Sequence, residues 1–278
     1  MTLIPDLEHK IIARENYALH YFAKGDSRNE LIIFLHPAFG DHKCFYQQID
    51  FFAEHYRVVA VDMIGHGESQ VKDSQVSIAD TSAIIAEIIA REGHVNAHLV
   101  GVSLGSLIAQ DVAARFPNAV QTLTVLGGYT IFGASKEIQR AQVGEMLKWF
   151  FLIIVSMPLF RRYLARTTVI HPQAQEMFYR STQLFTRRSL QALSGMNKVL
   201  RPVFQPQHHP LQIMVGDHDL PLMRRVAEAW HQQEPTSEYH SIGNAGHCAN
   251  MDNPDDFNAL LLRFVARHSL HQSLILQV

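Results

Sequence analysis

Apolar residues follow two alternating patterns along this chain. Unbroken runs of strand length stand at 31–35, 58–61 and 99–102, the pattern of strands covered on both faces, and 120–126 and 211–215 read as further strands. Between them apolar residues return at helical spacing: Phe45, Ile49 and Phe52 within 43–55, then Ile84, Ile85, Ile88 and Ile89 within 78–91. After Leu104 the same spacing is kept by Leu107, Ile108, Val112 and Ala113, and 221–233 and 255–268 read as further helices. Residues 9–13 and 17–23 predict an opening antiparallel hairpin turning at Glu15-Asn16, and 238–242 predicts a late strand. Strands alternating with helices predict an α/β fold, a mostly parallel central sheet flanked by helices.

The alternation breaks between Gly127-Gly128 and Leu211. Residues 131–206 carry helical patterns without a convincing strand, and three prolines in 201–210 mark the return. The expected division is a core of 1–130 and 207–278 with a helical cap or lid at 131–206. The apolar stretch 146–160 is shorter than the roughly 20 residues a membrane span needs and is interrupted by Lys148, Ser156 and Pro158. It reads as a buried or pocket-lining helix. The tail around Leu274-Ile275-Leu276 is expected to pack on the core.

Composition changes this picture little. The 278 residues are 47% hydrophobic and 18% charged, with a net charge of −2, so charge gives no reason to expect nucleic acid or an anionic membrane as partner. Residues 1–10 contain Asp6 and Glu8 and no apolar core of a secretory signal. Cys44 and Cys248 lie far apart in sequence and form no metal or redox spacing. The expected setting is a reduced cytoplasm; a homodimer is compatible.

The chemistry gathers around Gly101-Val102-Ser103-Leu104-Gly105, a G-x-S-x-G match between a buried run and a helical pattern. A serine at a tight strand-to-helix turn is forced into a strained conformation that small neighbours must accommodate, and the first free N–H groups of the helix face the same space. His36, Asp62, Asp219 and His247 also fall at strand ends or on the loops beyond, where ligands gather in parallel sheets.

With HPAFG (36–40), DMIGHGES (62–69), GVSLG (101–105), GDHD (216–219) and Gly246-His247 in this order, the chain resembles the α/β-hydrolase-fold serine hydrolases across most of 9–268. That resemblance implies Ser103 as nucleophile, His247 as base and Asp219 as the acid that orients it, with Asp217 the competing acid. It implies oxyanion donors at the backbone N–H of Leu104 and of Ala38, or less favourably Phe39. Pro37 stands where the family usually carries glycine. Asp62 and 65–67 read as structural. No cofactor and no metal are expected. The aromatic-rich insertion implies a small-molecule substrate with an apolar portion, for which Phe39, Trp149, Phe150 and Phe178 are candidate contacts, whereas Arg161, Arg162, Arg187 and Arg188 read as solvated. The reaction implied is hydrolysis of a carboxylic ester through an acyl-enzyme. Lactone opening, C–C hydrolysis of a diketone, or slow-turnover ligand reception on the same residues remain alternatives.

Overall fold

The computed structural model describes residues 6–72, 76–133, 136–193 and 195–269; the tail at 274–276 lies outside them. Eight strands among these residues form one sheet: β1 (Glu8–Ala13), β2 (Ala18–Lys24), β3 (Leu31–Leu35), β4 (Arg57–Val61), β5 (Ala97–Val102), β6 (Val120–Leu126), β7 (Leu211–Gly216) and β8 (Glu238–Ile242). Their order is β1-β2-β4-β3-β5-β6-β7-β8. β1 and β2 run antiparallel at one edge, and β4 through β8 pair in parallel. Every residue of β3, β4, β5 and β7 is buried, which explains why these strands are mostly apolar without a polar alternation, Arg57, His98 and Gln212 being their buried polar exceptions.

Helices cover both faces. α1 (Tyr46–Phe52), α9 (Ala249–Asp252) and α10 (Pro254–Arg267) pack with one layer of core residues, and α2 (Thr81–Arg91), α3 (Leu104–Arg115) and α8 (Pro221–Gln233) with the other. The helix expected over 43–55 is shorter than its apolar spacing suggests. Asp41 caps a 3-10 turn at His42–Phe45, and the α-helix proper begins only at Tyr46.

Between β6 and β7 lie α4 (Lys136–Val155), α5 (Met157–Thr168), α6 (Pro172–Ser181) and α7 (Ser189–Leu193). The two ends of this insertion are joined by a bridge between Phe132 and Arg201, and the Arg201 guanidinium reaches Asp111 of α3 at 2.9 Å. Among the described residues no helix is long and apolar enough to cross a membrane.

β3 has β4 on one side and β5 on the other, so the chain reverses its direction of travel across the sheet between them. Such a switch point leaves a crevice at the carboxyl ends of the strands.

Candidate active site

Ser103 sits between the last residue of β5 and the first of α3 with φ +51° and ψ −113°. That conformation is unusual for an L-residue and costs on the order of 1–3 kcal/mol. Two glycines make it sterically feasible. A Cβ on Gly101 would stand 2.5 Å from the Gly105 carbonyl, and one on Gly105 would stand 2.1 Å from the carbonyl oxygen of Leu35 at the end of β3. The Ser103 N–H donates to Leu126 O at 2.8 Å, and Ser106 Oγ donates to Ser103 O at 2.6 Å.

The loop after β3 folds over the same crevice. Gly40 N–H donates to Pro37 O at 3.2 Å, closing a turn with Ala38 and Phe39 at its centre. Phe39 has φ +71°, the left-handed value that such a turn requires of its third residue and that glycine usually supplies. Pro37 contributes only its carbonyl to this turn, so its missing N–H costs nothing here. His36 fixes that carbonyl: its Nδ1 donates to Pro37 O at 2.8 Å, and its Nε2 accepts from Met63 N–H at 3.0 Å. Burial lowers the His36 pKa to about 4, so the ring stays neutral and keeps this donor–acceptor assignment at neutral pH. Among the described residues no protein acceptor takes the N–H of Ala38 or of Leu104, which leaves both donors available.

His247 comes from the loop between β8 and α9. Its Nδ1 donates to the Asp219 carboxylate, with 2.9 and 3.0 Å to the two oxygens. Asp219 is buried and keeps its place through Asp219 N–H donating to Gly216 O at 3.0 Å. Burial alone would lower the His247 pKa, but the charge and hydrogen bond of Asp219 more than offset it and the net shift is upward. Gly127, at φ +59°, lies against the ring: a Cβ there would be 3.0 Å from His247 Nδ1. The end of β6 therefore meets both groups, accepting the Ser103 N–H through Leu126 and packing His247 through Gly127.

Asp217 is engaged elsewhere. Its Oδ1 accepts from Ala245 N–H at 3.0 Å and faces His218 Nδ1 at 2.7 Å. Asp62 is fully buried and accepts from His42 N–H (2.8 Å), His42 Nδ1 (2.9 Å) and Glu68 N–H (2.8 Å), so it organises the loop after β4. Cys248 is buried and packed.

The aromatic candidates separate. Phe39 is buried, and its ring meets Trp149, Phe160 and Phe185 edge-on at centroid distances of 5.0, 5.2 and 4.9 Å. Phe150 is 60% exposed on the outer side of α4 and is not brought to the site. Adjacent helical residues project roughly 100° apart, so when Trp149 turns inward its neighbour turns out. Phe178 is 1% exposed within the core between α6 and the body of the protein, packed rather than facing a ligand. Arg187 is exposed, as the solvated reading expects, and Arg161 is half-buried; both guanidinium groups donate to backbone carbonyls, Arg161 to those of Gln183 and Phe185 and Arg187 to those of Ile153 and Ile154.

One site-shaping residue went unrecognised in the sequence. The Asp252 carboxylate accepts from Gly246 N–H at 2.9 Å and from Ile170 and His171 N–H at 3.0 Å. It joins the His247 loop to the α5–α6 junction, and no spacing relative to a motif announces it.

Residues 32–260 match the family model of the alpha/beta hydrolase family. The chain belongs to the alpha/beta hydrolase family. Over 130 residues it is 33% identical to an (E)-2-((N-methylformamido)methylene)succinate hydrolase of Acinetobacter baylyi, covering 46% of this chain and 49% of that protein. It thus spans about half the length of that relative. Over 267 residues it is 24% identical to a 2-hydroxy-6-oxononadienedioate/2-hydroxy-6-oxononatrienedioate hydrolase of a Pseudomonas species, covering 91% and 93%. A thermophilic esterase from Thermogutta terrifontis superposes with a TM-score of 0.80 at 17% identity, over 94% of this chain and 99% of that one. This last likeness is one of fold.

Proposed function

We propose that this hydrolase cleaves carboxylic esters bearing an apolar acyl or alcohol group, with Ser103, His247 and Asp219 as its catalytic residues. The observation that carries the reading is the buried Asp219 carboxylate held 2.9 and 3.0 Å from His247 Nδ1, with Ser103 at φ +51° on a strand-to-helix turn and its N–H taken by Leu126, next to the Gly127 that packs on His247. With Nδ1 committed to Asp219, Nε2 is the basic nitrogen. Ser103 Oγ attacks the ester carbonyl while His247 Nε2 takes its proton. The carbonyl oxygen becomes an anion between the N–H groups of Leu104 and Ala38, donors that face no protein acceptor among the described residues and need no rearrangement at that moment. The tetrahedral species collapses, the C–O bond to the alcohol breaks, and His247 returns the proton to the leaving oxygen. Water, deprotonated by the same nitrogen, then attacks the acyl-enzyme and releases the acid.

The apolar preference rests on the insertion, read as a cap. Trp149, Phe160 and Phe185 close around Phe39 next to the Ala38 donor. The Arg161 and Arg187 guanidinium groups are committed to backbone carbonyls, which takes support away from a dicarboxylate substrate such as the Pseudomonas relative's name describes. The test is a panel of 4-nitrophenyl esters of rising acyl length, run beside acyl lactones and a 2-hydroxy-6-oxo-dienoate, with fluorophosphonate labelling mapped by mass spectrometry. Multiple turnover of the esters and an adduct on Ser103 that Ser103→Ala abolishes are expected. Turnover of only the dienoate, or labelling elsewhere, overturns the reading.

A further inference from the structure

On the face of β1 and β2 that carries His9, Ile11, His20 and Phe22, two imidazoles and a carboxylate converge. In the antiparallel register Ile11 opposes His20 and His9 opposes Phe22, so His9 and His20 are diagonal neighbours on one face. His9 Nε2 lies 2.8 Å from His20 Nδ1, and Glu68 Oε2, from the loop after β4, lies 3.6 Å from each. All three side chains remain reachable from solvent, at 38%, 17% and 41% exposure for His9, His20 and Glu68. We propose that His9, His20 and Glu68 form a zinc site that ties the edge hairpin to the loop following β4.

The distances fit an ion. A triangle with those three sides has its centre about 2.0 Å from every corner, the length of a zinc–imidazole or zinc–carboxylate bond. A metal lying slightly out of that plane keeps a fourth, solvent-facing position for water. Two imidazoles with one carboxylate suit zinc and its neighbours, whereas calcium and magnesium prefer all-oxygen shells. The rings are already held. His9 stacks on Phe22 at 4.6 Å, Phe22 stacks on His42 at 3.6 Å, and Ser69 Oγ accepts from His20 N–H at 2.7 Å, fixing Glu68 beside it. Glu68 N–H in turn donates to Asp62, so the ion would steady the loop that Asp62 organises.

Untagged protein dialysed against a chelator and titrated with Zn2+ by calorimetry is expected to bind one equivalent. Co2+ should give the visible absorption of a four-coordinate site, and Ca2+ and Mg2+ should give no heat. His20→Ala and Glu68→Gln should each weaken Zn2+ binding at least about tenfold while far-UV circular dichroism is unchanged, and Ser103→Ala should bind as the parent does. Absence of saturable one-to-one binding, or binding unchanged in the His9→Ala/His20→Ala double variant, would falsify the site.

A second surface stands on a separate observation. Leu147, Phe150, Phe151 and Ile154 follow the i, i+3, i+4, i+7 spacing of one helical stripe, yet they are 57–68% exposed, and Val155 and Leu159 extend the patch. From residue 146 to 175 the chain has no Asp or Glu but carries Lys148, Arg161, Arg162 and Arg166. Leu159, Arg162 and Arg166 share a face of α5 by their spacing and are exposed. We infer that this patch lies on an anionic lipid surface, its apolar stripe in the acyl boundary and its cations among the headgroups. A second copy on the same stripe would bring like charges together with no acid in the segment to pair them.

Flotation with vesicles of phosphatidylcholine and phosphatidylglycerol at 7:3 is expected to carry the protein, and pure phosphatidylcholine to carry much less. Phe150→Ser/Phe151→Ser should abolish flotation, and Arg162→Gln/Arg166→Gln should weaken it on the anionic vesicles only. No flotation on either vesicle overturns the inference. So does a concentration-dependent dimer in sedimentation velocity that the serine variant dissolves, since the second copy is then the occupant.

Discussion

Replacing Asp219 by asparagine keeps the shape of the side chain and removes its charge. In the parent, Nδ1 of His247 donates to both carboxylate oxygens at 2.9 and 3.0 Å, which leaves Nε2 free to accept the Ser103 proton. An amide can turn an N–H toward Nδ1 and stabilise the opposite tautomer, whose Nε2 carries a proton and cannot act as base. The loss expected is on the order of 10⁴ in kcat, equivalent to about 5.5 kcal/mol of barrier at 1.36 kcal/mol per decade. Ionisation makes a second, independent readout. Burial pushes His247 down and Asp219 pushes it up, and the net is upward. The base form is then gained only above the ordinary histidine value of about 6.5. The acid limb of kcat/KM against pH should therefore lie above that value in the parent. In Asp219→Asn the upward causes are gone, burial remains, and the limb should fall below it.

Asp217→Asn is the control. The Ala245 and Asn244 N–H groups and His218, against the opposing effect of burial, hold the Asp217 carboxyl down at about 2. It does not touch His247, so kcat should stay within about tenfold of the parent and the acid limb should not move. Activity is measured from pH 5 to 9 on one chromogenic ester, with thermal unfolding to show that each variant is native. Equal losses in the two variants, or an unmoved limb in Asp219→Asn, would mean that Asp219 does not set the ionisation of His247.

Three further outcomes follow from the same geometry. Gly105→Ala places a methyl 2.1 Å from Leu35 O; α3 and β3 must part by about 1 Å, and since a shift of that size can cost about 10²-fold in rate, kcat should drop by that order in a protein that still gives a cooperative melt. Phe39→Gly should unfold at a higher urea concentration than Phe39→Ala, the reverse of the usual order, because both lose the ring but only glycine relieves the φ of +71°, worth roughly 1–2 kcal/mol. His36 and His66, pushed by burial to about 4 and about 3, take up protons in the unfolded chain near 6.5 but not in the native one; stability should fall as pH drops from 6.5 toward 4, by up to about 1.4 kcal/mol per unit for each, and His66→Phe should flatten the difference between urea midpoints at pH 7 and pH 5, an unchanged difference counting against the assignment.

The sheet was legible because a strand buried on both faces must be largely apolar, and 31–35, 58–61 and 99–102 are unbroken apolar runs. The site was legible where chemistry and backbone constraint coincide, as at Gly101-Ser103-Gly105. It was illegible where the constraint comes from outside the segment. Nothing within 36–40 announces that Phe39 adopts a left-handed φ, since its compensation is three aromatic rings from an insertion more than a hundred residues later. α4 is apolar on nearly every side from 149 to 155, so periodicity could not tell inward Trp149 from outward Phe150. His9 and His20 became neighbours only through a strand register, which their sequence spacing does not specify.

The loops that meet over Ser103 are tied to one another by buried polar groups as well as by apolar contacts. His36 links the Ala38 turn to Met63, Asp62 links the following loop to His42, Gln110 holds Tyr129 O and Ile131 N–H against α3, and Asp252 links the His247 loop to the insertion. Each tie engages two or more backbone groups, and a buried group left without a partner costs roughly 1–3 kcal/mol. Such ties are directional, whereas apolar packing tolerates sliding, so they hold donors and base in register on loops that have no ladder of their own. Asp252 carries this furthest: a displacement of the α5–α6 junction has a direct mechanical route, through Ile170 and His171 to Gly246, to the residue beside His247. Under the proposed mechanism, the insertion expected to select the substrate would also position His247 as base.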